Sequence, residues 1–463
     1  MPAIRLPAGR RVAACYDPLV RIFRWILGIV AVILLVVVVG GVAVYWWQRP
    51  LLLTGTGYAA HNACAVTEVA GRDDPSADLP PNPLVPHLRV DGAGDPTNGT
   101  LLGVLARQQA WYTAGFGCTL ASERPGLDEA TAITAGANPY TDAPAPTADP
   151  GLDAAIGLAF GDDLDAPGAE ALGTRGIVVL KDGALVGERY AAGFDASTPQ
   201  LGWSMSKSVT DLMVGVLVRQ GVVSLDDDHL RPEWTDGRAD ITIEQLLRMT
   251  GGLDWDETYD LGTPITRMLY LEPDMGSYVA SLPLAHEPGT FQQYSSGSTT
   301  LLCSVLAELT GLGANLPRQT LLGPLGLTSA VFEPDAAGTP VCSSYLWATP
   351  RDWAAIGQFA LQAGVWDGEP LLPADWMQRS LTVDPIESTD DPGYGMGWRV
   401  NVLPDGSRRW PTLPDDAYSA NGHDGQEIIV VPSESVVVVR LGFTPEADEG
   451  PTVVGVVEAA IAG

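Results

Sequence analysis

The sequence predicts an α+β fold whose sheet is built from both ends of one domain, with helices inserted between them and one membrane-spanning helix in front. Three observations carry this. Strand-like segments stand at both ends of residues 152–463, segments of helical periodicity fill the middle, and an uncharged apolar run of 22 residues precedes everything at 26–47. Strands followed by a block of helices and then strands again mark α+β architecture. The 463 residues suffice for one large domain, or two closely packed ones, with a sizeable core.

As a helix, residues 26–47 would span roughly 33 Å, enough for the roughly 30 Å hydrocarbon core of a bilayer. Arg5, Arg10, Arg11, Arg21 and Arg24 precede the run, and Tyr45, Trp46 and Trp47 form an aromatic belt at its far end. The positive-inside rule then puts residues 1–21 in the cytoplasm, a single-pass anchor at 22–47 in the cell membrane, and everything after Arg49 outside. The competing reading is a cleaved signal peptide. Its apolar region would be about 7–15 residues long and would end in small residues. This run is longer and ends in Tyr-Trp-Trp, which favours an uncleaved anchor.

Residues 48–150 are rich in Pro, Gly, Ala, Asp and Thr. A short strand or helix is expected at 101–109 and an extended segment at 110–120. Pro139, Pro144, Pro146 and Pro150 give 138–150 the texture of a linker. Residues 48–150 therefore read as an accessory segment packed on a main domain at 151–463. Cys15 falls alone on the cytoplasmic side, whereas Cys64, Cys118, Cys303 and Cys342 make an even set in an oxidising compartment, without metal-ligand spacing. Pairing sequence neighbours gives Cys64–Cys118 and Cys303–Cys342. Four buried free thiols are the alternative.

In the main domain, 176–180 and 184–190 are two strands, and Asp182-Gly183 between them is a strong hairpin signal. Residues 206–220 carry apolar side chains at helical spacing (Val209, Leu212, Met213, Val216, Leu217) and stop at Gly221. Further helices are expected at 243–249, at 299–309 before Gly311, and at 353–363 before Gly364. Strands return at 427–431 and 435–441, and a helix at 453–461 closes the chain.

A formal net charge of -30 makes nucleic acid or an anionic membrane surface a poor partner for the main body. Only two of the 26 basic side chains are lysines, Lys181 and Lys207. Arginine is not deprotonated in proteins, whereas a desolvated lysine can accept a proton. Lys207 lies three residues after a serine in Ser204-Met205-Ser206-Lys207, at the start of the 206–220 helix. Residues i and i+3 share one helix face, and a helix N-terminus favours developing negative charge. That is the setting an activated serine needs. Two other patterns fail. Position 206 is serine, so Ser204 is not in a Gly-x-Ser-x-Gly elbow. The three adjacent acids of Asp226-Asp227-Asp228-His229 cannot all face one ion, and they read as a solvated turn.

Two further segments join Ser204 and Lys207. One is Tyr294-Ser295-Ser296-Gly297, after His286-Glu287-Pro288-Gly289-Thr290; the other is Gly422-His423-Asp424-Gly425-Gln426, before the strand at 427–431. In order and spacing the three resemble the Ser-x-x-Lys, Tyr-x-Asn (or Tyr-x-Ser) and Lys/His-x-Gly elements of the class C β-lactamase and penicillin-binding-protein superfamily of serine hydrolases. Residues 152–442 resemble it throughout, including Thr250-Gly251-Gly252-Leu253, Thr349-Pro350-Arg351-Asp352-Trp353 and Tyr394-Gly395-Met396-Gly397. The branch of 6-aminohexanoate-dimer hydrolases and related esterases is the most similar.

The resemblance implies a β-lactamase/transpeptidase-like fold, an antiparallel sheet flanked by helices with an inserted helical region, and no metal or cofactor. It implies that Ser204 forms an acyl-enzyme and that Lys207 and the Tyr294 phenol share its proton. The N–H groups of Ser204 and Gln426 would form the oxyanion hole, with Gly425 leaving room for substrate. His423, Ser296 and Tyr259, the last on a loop over the substrate, complete the expected site. The departures matter. His423 replaces a lysine that holds a substrate carboxylate, and histidine is not a permanent cation. Ser296 replaces asparagine. Both favour small-molecule or short-peptide amide and ester substrates over β-lactams. The alternatives are a β-lactamase or DD-peptidase and, in another class, a non-catalytic penicillin-recognising sensor or binding module.

Overall fold

The chain opens into helix α1, Pro18–Glu68, which carries exposed apolar side chains from Val20 to Val44. The structure is a computed structural model describing residues 18–463 apart from 135, 148, 389–390 and 446–452; Arg5, Arg10, Arg11 and Cys15 lie outside the described residues. The chain divides into two compact units, Met1–Leu51 and Leu52–Gly463. In the first unit α1 is long and apolar enough to cross a membrane, a property that a signal sequence shares. The helix does not end at Trp47. It runs on to Glu68 because Ala59, Ala60, Ala63, Cys64 and Ala65 bury a small-residue face in the second unit.

Against that face lies an antiparallel meander: β1 (Leu88–Asp91), β2 (Thr97–Leu101), β3 (Leu105–Thr113) and β4 (Gly117–Leu120). The ambiguous stretch at 101–109 is a hairpin, turning through Leu102 in the left-handed region. The helix approaches β2 so closely that a Cβ on Gly99 would collide with the Thr56 carbonyl. The Cys64–Cys118 disulfide joins α1 to β4. Beyond it, Cys118 N donates to Glu333 Oε1 at 2.7 Å and Thr119 Oγ1 to the Pro334 carbonyl at 3.0 Å.

Pro150 belongs not to a linker but to the first turn of α2 (Pro150–Ala159), capped by Asp149, which accepts from Gly151 N. The hairpin follows: β5 (Thr174–Lys181) and β6 (Ala184–Tyr190), turning at Asp182 and Gly183, both with positive φ as the Asp-Gly signal requires. Next come α3 (Met205–Arg219), α4 (Ser296–Thr310) and α5 (Pro350–Leu361). The last strands are β7 (Arg399–Val400), β8 (Tyr418–Gly422), β9 (Gln426–Val431) and β10 (Val436–Gly442), closed by α6 (Val454–Ala462). They assemble in the order β7-β8-β9-β10-β5-β6, all antiparallel, so both ends of the domain build one sheet.

Side chains alternate across this sheet. Val178, Leu180, Ile428, Val430, Val437 and Val439 face the main core, which includes α3, α4 and α5. Ile177, Val179, Ile429, Val431, Val436 and Val438 pack against Leu152 and Ile156 of α2 and Val456 and Val457 of α6. At Gly357 of α5 a Cβ would lie 2.6 Å from Val437, so the helix seats directly on the strands.

Candidate active site

Ser204 sits where the chain leaves the sheet region and enters α3. Gly202, two residues earlier, has no room for a side chain, because Trp353 of α5 fills that space. A Cβ on Gly422, at the end of β8, would in turn collide with the Gly202 carbonyl oxygen, so the two backbones touch. Between them Trp203 adopts φ +48°, an uncommon conformation for a bulky residue that turns the chain sharply into the helix. Ser204 is the N-cap of α3 and remains half-buried. Its amide has no partner among the described residues and stands at the positive end of the helix.

Lys207, one turn on, is 2% exposed. Its Nζ donates to Ser204 Oγ at 2.9 Å, Ser296 Oγ at 2.9 Å and the Ser343 carbonyl at 3.0 Å. Ser296 opens α4, and Ser343 follows Cys342 in chain. The Cys303–Cys342 disulfide, with Cys303 in α4, therefore joins the two segments that hold Lys207 Nζ. Glu257 stands behind Ser296. It accepts from the Ser296 hydroxyl, from Ser296 N at 2.8 Å and from Trp255 Nε1 at 2.6 Å.

Lys207 Nζ lies 4.8 Å from the centroid of the Tyr294 ring. The Arg399 guanidinium lies 5.2 Å from the same centroid, and Tyr394 packs edge-on at 5.4 Å. Arg399 is itself paired with Asp391.

The third motif forms a tight turn between β8 and β9, with Asp424 at φ +60° and Gly425 at φ +83°. Arg440 of β10, fully buried, donates to the Gly425 carbonyl and to Leu172 O at 2.7 Å, pinning the turn from behind. The Gln426 side chain donates to Gly442 O at 2.7 Å and accepts from Gly442 N at 3.0 Å, so it is held against β10. Burial pushes the Asp424 carboxyl up, against the opposing pull of His423 and Arg175. The His423 ring stacks on Tyr259 and meets Trp203 edge-on at 5.6 Å. The Tyr259 hydroxyl is buried without a hydrogen-bond partner among the described residues; burial, then Glu257, push its pKa well up.

The structure thus gathers all three motifs around Ser204, on a helix N-terminus, a second helix N-terminus and a strand turn. The Beta-lactamase family model matches residues 158–450 of this sequence. The chain belongs to the beta-lactamase family. It is 25% identical over 295 residues to the 6-aminohexanoate-dimer hydrolase of Paenarthrobacter ureafaciens, an alignment covering 59% of this chain and 74% of that protein. Among solved structures, a penicillin-binding protein homologue from Caulobacter crescentus superposes with a TM-score of 0.52 at 18% identity, covering 68% of this chain and 98% of that one. EstCE1, a hydrolase with promiscuous acyltransferase activity, gives 0.52 at 18% identity, covering 68% and 99%. At such identities the structures speak for the fold.

Within this beta-lactamase-family site, no sequence motif marks Glu257, Ser343, Arg399 or Arg440. Glu257 lies in the same short segment as Tyr259, but no spacing marks it. Ser343 contributes a backbone carbonyl, which any residue could supply.

Proposed function

We propose that this serine β-lactamase-fold hydrolase cleaves amide or ester bonds of small molecules or short peptides through a Ser204 acyl-enzyme. The observation that carries the reading is the 2.9 Å contact between buried Lys207 Nζ and Ser204 Oγ. Ser204 Oγ attacks the carbonyl carbon while Lys207 accepts the hydroxyl proton. The N–H groups of Ser204 and Gln426 receive the oxyanion. The C–N or C–O bond then breaks as the leaving amine or alcohol takes that proton, directly or through Tyr294. Water adds to the acyl ester, Lys207 again accepting its proton, and Ser204 recovers a proton as the acid departs.

The third motif carries His423, and histidine is not a permanent cation, while the charge of Arg399 is paired with Asp391. This supports amides and esters over β-lactams, as does the likeness to 6-aminohexanoate-dimer hydrolase. The apolar helix supports a single-pass anchor with the catalytic unit outside.

A fluorophosphonate probe tests the mechanism: it should label the wild type and leave Ser204→Ala unlabelled, and equal labelling of both rejects the reading. Short-chain nitrophenyl esters should be cleaved faster than nitrocefin; the reverse order favours the β-lactamase alternative. Extraction of membranes with alkaline carbonate should leave the protein in the pellet, and its release would reject the anchor.

A further inference from the structure

The neighbours of Lys207 Nζ differ in what they can do. The Ser343 carbonyl can only accept a hydrogen bond, whereas the Ser296 hydroxyl can donate or accept. Ser204 Oγ carries the proton to be removed. The Ser296 hydroxyl does not choose freely, because its hydrogen is directed to Glu257 Oε1. Glu257 is itself held in place, Oε2 accepting from Ser296 N at 2.8 Å and from Trp255 Nε1 at 2.6 Å. A carboxylate only accepts. The Ser296 oxygen therefore faces Lys207 as an acceptor, at 2.9 Å.

In its amine form Lys207 has two hydrogens and one lone pair. Ser343 O and Ser296 Oγ take the hydrogens, and the remaining direction is that of Ser204 Oγ. We infer that Glu257 is a positioning residue that aims the Lys207 lone pair at the Ser204 hydroxyl by fixing the rotation of the Ser296 hydroxyl. The inference rests on the general-base role proposed above for Lys207. With the carboxylate replaced by an amide, the Ser296 hydroxyl can turn and donate to Nζ, occupying the lone pair that the reaction needs.

The test uses the full-length protein, a nitrophenyl ester and the fluorophosphonate probe, with thermal melting as a check on folding. In Glu257→Gln, kcat and the labelling rate should fall together by about 100-fold, the scale of a misaligned catalytic contact, while KM stays within about twofold. Placed in a Ser296→Ala background, the same substitution should add less than about twofold, since Glu257 acts only through Ser296. Wild-type kcat in Glu257→Gln, a loss confined to KM, or an undiminished penalty in the Ser296→Ala background overturns the inference. Should Glu257→Gln not fold, Ser296→Ala alone decides: a kcat equal to wild type overturns it, and a loss in kcat at constant KM supports it. Lys207→Ala separates the two readings. If that variant is still labelled, the general-base proposal fails; if it is dead while Glu257→Gln is unaffected, only the role of Glu257 fails.

Discussion

The ring of Tyr259 lies flat on the imidazole of His423, centroids 4.5 Å apart and planes within 9°. The stack joins the loop bearing Glu257 to the turn bearing Gly425, and the Trp203 ring meets both rings edge-on beside Ser204. Tyr259 brings to this place a buried hydroxyl with nothing to bond among the described residues. An unpaired buried hydroxyl costs about 1–3 kcal/mol, a cost that a substrate acceptor or donor would relieve.

Tyr259→Phe is accordingly expected to raise the melting temperature while lowering kcat/KM for an amide substrate about tenfold, the value of one neutral hydrogen bond. Melting curves and steady-state kinetics on the same preparations check both halves. A lowered melting temperature would mean that the hydroxyl is satisfied in the free protein.

On the general-base proposal, Lys207→Arg keeps the charge and removes the base, because a guanidinium is not deprotonated in a protein. The three acceptors around Nζ are also set for an ammonium-sized group. Turnover of a nitrophenyl ester should drop by about 10²–10⁴-fold, as it does on loss of a general base, and match Lys207→Ala. Near-normal turnover in the arginine variant rejects the assignment.

Asp211, on α3 one turn beyond Lys207, gives a pH signature. It is fully buried, accepting from Trp398 Nε1 at 2.9 Å and Ser380 Oγ at 3.0 Å, and burial pushes its carboxyl up to about 7, against those bonds, Trp376 and Arg248. The folded chain then keeps a proton that the unfolded chain has released above the usual carboxylate range. Its stabilising contribution is complete at low pH and is lost as pH rises through about 7. Asp211→Asn should lack this slope, so its melting temperature minus that of the wild type should grow from acid to pH 8. A difference independent of pH would contradict the assignment.

The two disulfides should separate stability from activity. Replacing Cys64 and Cys118 by alanine opens a covalent loop of 54 residues and should cost about 2–4 kcal/mol, read as a lower melting temperature at nearly unchanged kcat. Replacing Cys303 and Cys342 instead frees the segments carrying Ser296 and Ser343 from each other, and kcat should fall about tenfold or more, since small misplacements of a catalytic group are costly. Equal kcat in the two variants would refute the distinction.

Much of this was legible in the chain. The Asp182-Gly183 turn, α3 with its apolar spacing, α4 ending at Gly311 and the strands β9 and β10 follow local rules of turn chemistry and periodicity. The strand β8 does not, since Ser419 is fully buried and polar where an inward apolar residue would have signalled it. The extension of α1 past Trp47 was hidden because its small-residue face makes sense only against β2. Within the site, Ser204 and Lys207 are one helical turn apart and announce each other. Ser343 reaches Lys207 directly and Glu257 reaches it through Ser296, each from a distant part of the chain, so only the fold reveals them.

The contact between Gly422 and the Gly202 carbonyl leaves no room even for a methyl group. The spacing between the turn that leads into Ser204 and the turn that carries Gly425 is therefore set by backbone against backbone. Residues 203–421 lie between the two glycines in sequence, and they include the loop with Tyr259 and the helices around it. Within that long excursion Ser204, Lys207, Glu257, Ser296 and Ser343 are fixed points, and the stretches between them can be lengthened or trimmed to receive a different molecule while the gauge stays the same. Two missing side chains thus hold one spacing of the site fixed from backbone to backbone.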